Sequence, residues 1–250
     1  MFVNEKFNKI IDRLCQKIRL SQTPVPGFIL GLSGTDSILT FILMCESAKH
    51  FDMINRVYGI HYVNEQRRKK TWFEEQIIPW LKEKYPEARL EVQTPLGGNY
   101  DQQRWADLHL RSLNEIIVNG SGDKKIAALA QGENYWVVGC INATEKILGK
   151  YSILSKSVSM EPIQSLYKSE VLEICKEYGV PEIALEMSQL PDCLCGREEI
   201  AAQNLKLIDD IITFKLDMEK YPKELINEVY QYINETKASN NFKNRTPFSI

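Results

Sequence analysis

No long apolar run interrupts the 250 residues of this chain. A membrane-spanning helix needs about 20 consecutive, mostly apolar residues, so none is expected. The opening stretch MFVNEKFNKIIDRL is amphipathic and carries both acidic and basic residues, unlike the apolar centre of a secretory signal. Charge of one sign is also missing. Lys and Arg number 31 against 33 Asp and Glu, a formal net charge of -2. A general nucleic-acid binder needs a basic excess, so nucleic acid is not the expected partner, although a local basic patch stays open. Histidine is scarce: His50, His61 and His109 form no cluster in the sequence. Cysteine lacks a metal-binding pattern. Cys15, Cys45, Cys140 and Cys175 sit singly in apolar surroundings and read as small core residues. Cys193 and Cys195 make one CxC pair, whereas structural zinc wants four ligands. Scattered cysteines without a signal or a span favour a reducing cytoplasm.

What remains is a chain with 44% hydrophobic residues, enough to bury a core at this length. Short apolar runs alternate with helical patterns. Strands are expected at 27–32, 56–63, 88–93 and 135–140. Helices are expected at 4–20, 35–50, 71–85, 107–118, 124–131, 165–178, 198–216 and 222–235, with a turn at 119–123. The segment 93–104 and the tail from Thr236 are polar and read as mobile loops. Alternation of strand and helix implies α/β architecture, a doubly wound parallel sheet. No repeat or low-complexity linker divides the chain, so a single domain over 1–250 is expected, helical from about 198 onward.

The sharpest motif is LGLSGTDSILT, Leu30 to Thr40, between a buried strand and a helix. Backbone N–H groups at a helix start, reinforced by its dipole, suit a phosphate. Gly31 and Leu32 lead into the loop, Ser33, Thr35 and Ser37 offer hydroxyls, and Gly34 permits a tight backbone. Asp36 is out of place beside an anion unless a divalent cation bridges the two. No GK[ST] follows and no GxGxxG is present, so a kinase-like or Rossmann dinucleotide reading has little support. An ordinary strand-to-helix turn capped by Ser, Thr and Asp is the plain alternative.

SGTDS resembles the SGGxDS loop of ATP pyrophosphatases, and GFILGLSGTDSIL is similar to the style of the NAD synthetases, one residue shorter in the loop. Further segments resemble that family in the same order. Val137 to Tyr151 resembles a strand and loop ending in an acidic residue, which places Glu145 as a second Mg2+ ligand beside Asp36. Met160 to Glu182 resembles the block that carries a phosphate-binding lysine, here Lys168. A lysine at a helix start opposes the helix dipole, which suggests an anion nearby, with a solvated helix face as the plain alternative. Gln189 to Ile212 resembles a second loop and its acidic helix; Pro191 and Asp192 stand where the family has a hydroxyl. Glu198, Glu199, Asp209 and Asp210 read there as structural or surface acids. Phe242 to Ile250 resembles the family's basic terminus, with Lys243 and Pro247 in place and Arg245 shifted by one. On the acceptor side, Ser152 to Met160 replaces a Gly- and Asp-rich loop, and Leu108 to Leu113, with Arg111, keeps part of an Arg-rich motif.

The resemblance implies an adenine nucleotide alpha hydrolase-like fold and an ATP-dependent ligase. Such an enzyme adenylates the carboxylate of deamido-NAD or a related acid, then transfers ammonia and releases AMP and pyrophosphate. It implies ATP and Mg2+ as cofactors, with Asp36 and Lys168 catalytic. ATP would be held by Gly31, Leu32, Ser33, Gly34, Thr35, Asp36, Ser37, Lys168 and Lys243, the metal by Asp36 and Glu145. A homodimer is implied, and no glutaminase domain is expected, so ammonia is the nitrogen source. Two other readings stay open. One is a tRNA-modifying enzyme of the lysidine synthetase or thiolase type, suggested by the basic run in Tyr58 to Lys70. The other is a non-catalytic nucleotide-binding relative.

Overall fold

The computed structural model describes residues 4–20, 27–63, 71–94, 100–117, 135–191 and 198–244. The expected turn at 119–123 and helix at 124–131 fall outside these residues. So do Asp192, Cys193, Cys195, Arg245, Pro247 and the basic run ending at Lys70.

Four parallel strands form the sheet: β1 (Phe28–Leu32), β2 (Val57–Tyr62), β3 (Arg89–Gln93) and β4 (Trp136–Val137), in the order β3-β2-β1-β4. β1 is central, with Leu32 paired to His61 of β2 and Phe28 to Trp136 of β4. Both faces of β1 are covered, so its run is apolar throughout rather than alternating. Phe28, Leu30 and Leu32 face one core, shared with α1 (Glu5–Leu20) and α2 (Thr35–Lys49). Ile29 faces a second core, closed by Trp105 and Leu108 of α4 (Tyr100–Ile117). α2 is buried on nearly all sides, from Thr35 to Ala48, which explains why it has no polar face.

The remaining helices are α3 (Ile78–Lys84), α5 (Ala143–Leu148), α6 (Lys168–Tyr178), α7 (Glu182–Ser188), α8 (Glu199–Gln203), α9 (Leu205–Ile212) and α10 (Lys223–Asn244). A third apolar cluster, with Leu148, Leu207, Ile211, Ile226 and Val229, joins α5, α9 and α10. The helical C-terminal part is therefore anchored on α5. Among the described residues, no helix is long and apolar enough to cross a membrane.

Several boundaries differ from expectation, each for a local reason. The helix expected from residue 71 opens as a π-helix over Phe73–Ile77. Ile78 N–H reaches back to the Phe73 carbonyl, and the wider turn accommodates Pro79, which has no N–H to give. α4 starts seven residues before the expected 107. Its polar first turns are held by Tyr100 Oη donating to the Tyr62 carbonyl (2.9 Å) and by the Arg104–Asp101 ion pair (2.9 Å). β4 is two residues rather than six, because the chain changes partner. Val138 N–H still donates to Ile29, whereas Gly139 N–H donates to Met160.

The single helix expected over 198–216 breaks at Asn204. The Asn204 side chain donates to the Ile200 carbonyl (2.9 Å), competing with the helical ladder. The last helix runs to Asn244, nine residues past the expected 235. Its polar end is docked: Asn244 donates to the Lys146 carbonyl (3.2 Å), and Tyr151 Oη donates to Asn244 Oδ1 (2.7 Å). The helix expected from Ser165 starts at Lys168, and α7 was not expected.

Candidate active site

The loop between β1 and α2 lies at the carboxyl end of the central strand, where open parallel sheets place ligands. Its root is braced from β2. His61 Nδ1 lies 2.8 Å from the Leu32 carbonyl oxygen, and Nε2 lies 3.2 Å from Glu74 Oε1. The imidazole stacks on Phe73 at 4.4 Å.

Within the loop, Ser37 Oγ accepts from Ser33 N–H (2.8 Å) and Gly34 N–H (3.1 Å) and donates to the Gly34 carbonyl (2.8 Å). The Ser37 hydroxyl thus occupies two of the amides expected to cradle phosphate. Gly34 has φ -175°, extended backbone open to any residue, and a Cβ there would meet nothing within 4 Å. Its backbone conformation does not demand glycine, contrary to the tight turn expected from sequence. The space above it is open to a ligand, and the first N–H groups of α2 have no intrahelical acceptor.

Asp36, in the first turn of α2, is held on both carboxylate oxygens. Oδ1 accepts from Asn142 Nδ2 at 2.8 Å, and Oδ2 accepts from Lys168 Nζ. Lys168 is 7% exposed and also donates to Thr35 Oγ1 (2.9 Å). Thr35 Oγ1 in turn lies 2.8 Å from Ser188 Oγ, which donates to the Ala184 carbonyl (3.0 Å). Thr35 and Ser37 therefore direct their hydroxyls into the protein. An ammonium carries three N–H bonds; among the described residues two of them are engaged, by Asp36 and Thr35. The anion called for by a lysine at a helix start is supplied by Asp36, with Asp209 at the adjacent backbone.

Glu145 is drawn to Asp36 through Asn142. Asn142 precedes α5 and is fully buried. Its Oδ1 accepts from Glu145 N–H (2.9 Å), while Glu145 Oε2 accepts from Asn142 N–H (3.3 Å), a reciprocal capping box. One asparagine thus fixes both proposed metal ligands. Among the described residues, no group of three or more His, Cys, Asp or Glu is placed to hold a metal. Two carboxylates suit Mg2+, which is commonly held by one or two carboxylates plus substrate phosphates.

Cys140 follows β4 and lies within electrostatic reach of this cluster. Burial pushes its thiol up to about 12; Asp36 and Glu145 push the same way, while Thr40 and Arg104 oppose. Such a thiol is not a nucleophile near neutral pH.

The structure brings together Ser33, Gly34, Thr35, Asp36, Ser37, Glu145 and Lys168, with Gly31 and Leu32 as the strand beneath. It does not bring Lys243 to Asp36. Lys243 Nζ donates to the Gly149 carbonyl (3.0 Å), at the far end of α5 from Asn142. Six helical residues, about 9 Å of rise, separate the two ends. Arg111 is also committed elsewhere, donating to Asp107 (2.7 Å), Glu91 (2.9 Å) and Tyr58 Oη (2.7 Å). Asn142, Thr144, Ser188 and Asp209 were not anticipated as site-building residues. Only Asn142 left a signal, the N-x-x-E spacing of a capping box ending on Glu145.

A family model described as NAD synthase matches residues 124–247, a stretch that begins after the β1–α2 loop. The NH(3)-dependent NAD(+) synthetase of Thermotoga maritima is 38% identical over 90 residues, 35% of this chain and 32% of that protein. The matched stretch thus spans about a third of the length of that relative. The counterpart from Methanosarcina acetivorans is 25% identical over 221 residues, covering 82% of this chain and 81% of the relative. Two solved structures share the fold across nearly their whole length. The NH3-dependent NAD synthetase of Campylobacter jejuni has TM-score 0.58 at 20% identity, covering 98% of both chains. The NMN synthetase of Francisella tularensis has TM-score 0.65 at 17% identity, covering 98% of this chain and 97% of the other.

Proposed function

For this chain, which resembles the ammonia-dependent NAD synthetases in sequence and shares their fold, we propose an ATP-dependent amide-forming ligase acting on deamido-NAD or a related acid. The observation that carries the proposal is the Asp36–Asn142–Glu145 unit beside Lys168 at the mouth of the central strand.

ATP phosphates lie over Gly34 and the start of α2, with the remaining N–H of Lys168 directed at them. Asp36 and Glu145 hold Mg2+, which when bound neutralises phosphate charge. The acceptor carboxylate attacks the α-phosphorus, forming an acyl-adenylate as the bond to pyrophosphate breaks. Lys168 and the first N–H groups of α2 stabilise the departing charge. Ammonia then adds to the acyl carbon, loses a proton, and AMP leaves. No protein nucleophile takes part, in keeping with the raised Cys140 thiol. The enzyme works in the cytoplasm as a homodimer. The test is pyrophosphate release from ATP, Mg2+ and ammonium, with and without deamido-NAD. Release that requires deamido-NAD and yields NAD supports the proposal; release driven only by tRNA or by another acid redirects it.

A further inference from the structure

Asp209 reads from sequence as a structural or surface acid, but it lies on α9 at 2% exposure. Its two carboxylate oxygens reach two different elements. Oδ1 accepts from Thr144 Oγ1 of α5 (2.5 Å), and Oδ2 accepts from Ser169 N–H at the start of α6 (2.7 Å). Thr144 Oγ1 in turn accepts from Lys168 N–H (2.9 Å). The first two amides of α6 are thus taken by a threonine and a carboxylate that are bonded to each other. Thr144 stands next to Glu145 and two residues after Asn142, which holds Asp36.

We propose that Asp209, acting through Thr144, is a positioning residue that sets the Lys168 helix against the Asp36–Glu145 pair. The inference rests on the reading of Lys168 and Asp36 as reacting-site groups. A carboxylate at this helix start is favoured by the dipole that the Lys168 charge opposes. A buried acid costs stability unless its hydrogen bonds are met, and burial raises the Asp209 carboxyl despite the Thr144 and Ser169 bonds. What the arrangement gains is registry: α5, α6 and α9 meet at one hydroxyl and one carboxylate, and the Lys168 Cα is fixed by its own amide.

The test compares Thr144→Val, which keeps the shape and removes the hydroxyl, with Thr144→Ser, which restores it. Asp209→Asn and Lys168→Met accompany them. Each is assayed for deamido-NAD-dependent pyrophosphate release, with folding followed by circular dichroism and thermal unfolding. Misplacement by an ångström can cost about 100-fold in rate. Thr144→Val and Asp209→Asn are accordingly expected to lower kcat by about tenfold or more, with KM for deamido-NAD within about twofold. Thr144→Ser is expected to keep the parent kcat. If Thr144→Val is folded and keeps its kcat while Lys168→Met loses activity, the positioning role is overturned. If Lys168→Met is also unaffected, the functional reading itself has failed. Should Asp209→Asn not fold, Thr144→Val decides; loss of folding in both assigns the pair to the scaffold and overturns the proposal.

Discussion

Asn142 Nδ2 donates to Asp36 Oδ1 across 2.8 Å, joining residues 106 positions apart in the chain. The same side chain accepts from Glu145 N–H, so the loop acid and the helix acid share one rigid link. Asp36→Ala would remove the acceptor of Asn142 Nδ2 and the counter-charge of the buried Lys168, confounding chemistry with folding. Asp36→Asn keeps the shape and removes the charge. It is expected to leave the circular dichroism spectrum unchanged while lowering kcat at least about 100-fold. Parent-like turnover in Asp36→Asn would remove Asp36 from the reacting site.

Asn142→Ala should act on the same unit from the other side. It removes a helix cap, which costs about 1 kcal/mol, and frees Asp36 Oδ1. The expected outcome is a modest fall in thermal midpoint together with a rise in the Mg2+ concentration needed for half-maximal turnover. An unchanged Mg2+ requirement would mean that Asn142 only caps α5.

Gly34 offers a cleaner probe of the anion site. Because φ is -175° and a Cβ meets open space, Gly34→Ala is expected to change unfolding free energy by less than about 1 kcal/mol. A ligand lying over the loop would meet the added methyl. KM for ATP should therefore rise while stability stays level, as read by a titration and a urea melt on the same sample.

Glu46 links the loop helix to its neighbours and gives the fold a pH signature. Its Oε1 accepts from Lys49 (2.7 Å), Tyr85 (2.6 Å) and Tyr178 (2.7 Å). Burial by itself would raise this carboxyl, but the three hydrogen bonds and the Lys49 charge together outweigh it and hold it below its ordinary value. A depressed folded-state value contributes stability above the ordinary carboxylate range, lost as pH falls through the depressed value. Glu46→Gln should cost about 1–3 kcal/mol near neutral pH. The gap between parent and variant should close on acidification. A gap that stays constant with pH would show that the charge is not what stabilises.

Gly149 ties the C-terminal helix to the site. Its φ of 69° is in the left-handed region, and a Cβ would lie 2.5 Å from Asn240 Cβ and 3.0 Å from the Asn240 carbonyl oxygen. Gly149→Ala is expected to lower stability by more than about 1 kcal/mol. In hydrogen exchange, α10 should lose protection before β1. Equal loss in both would deny that α10 docks as a separate unit.

The strand–loop–helix core was legible because β1 and α2 bury nearly every residue, so an apolar run and a small polar break were enough to locate Ser33 to Ser37. Asp36 and Lys168 stood out for electrostatic reasons, an acid at a phosphate loop and a cation at a helix start. The end of α10 was not legible. Its polar residues resemble a solvated tail, whereas Lys243 and Asn244 find partners at the end of α5 and just beyond it, in the Lys146 and Gly149 carbonyls and Tyr151. For Asp209 the sequence left structural and surface readings open, because an acid in an acidic helix carries no sign of the Thr144 and Ser169 that meet it in the interior.

The most direct measurement is pyrophosphate release by the parent and by Asp36→Asn, in the presence of ATP, Mg2+, ammonium and deamido-NAD. The account predicts stoichiometric pyrophosphate, AMP and NAD from the parent, none without deamido-NAD, and almost none from Asp36→Asn. Binding of ATP by the parent with no pyrophosphate release under these conditions would contradict it.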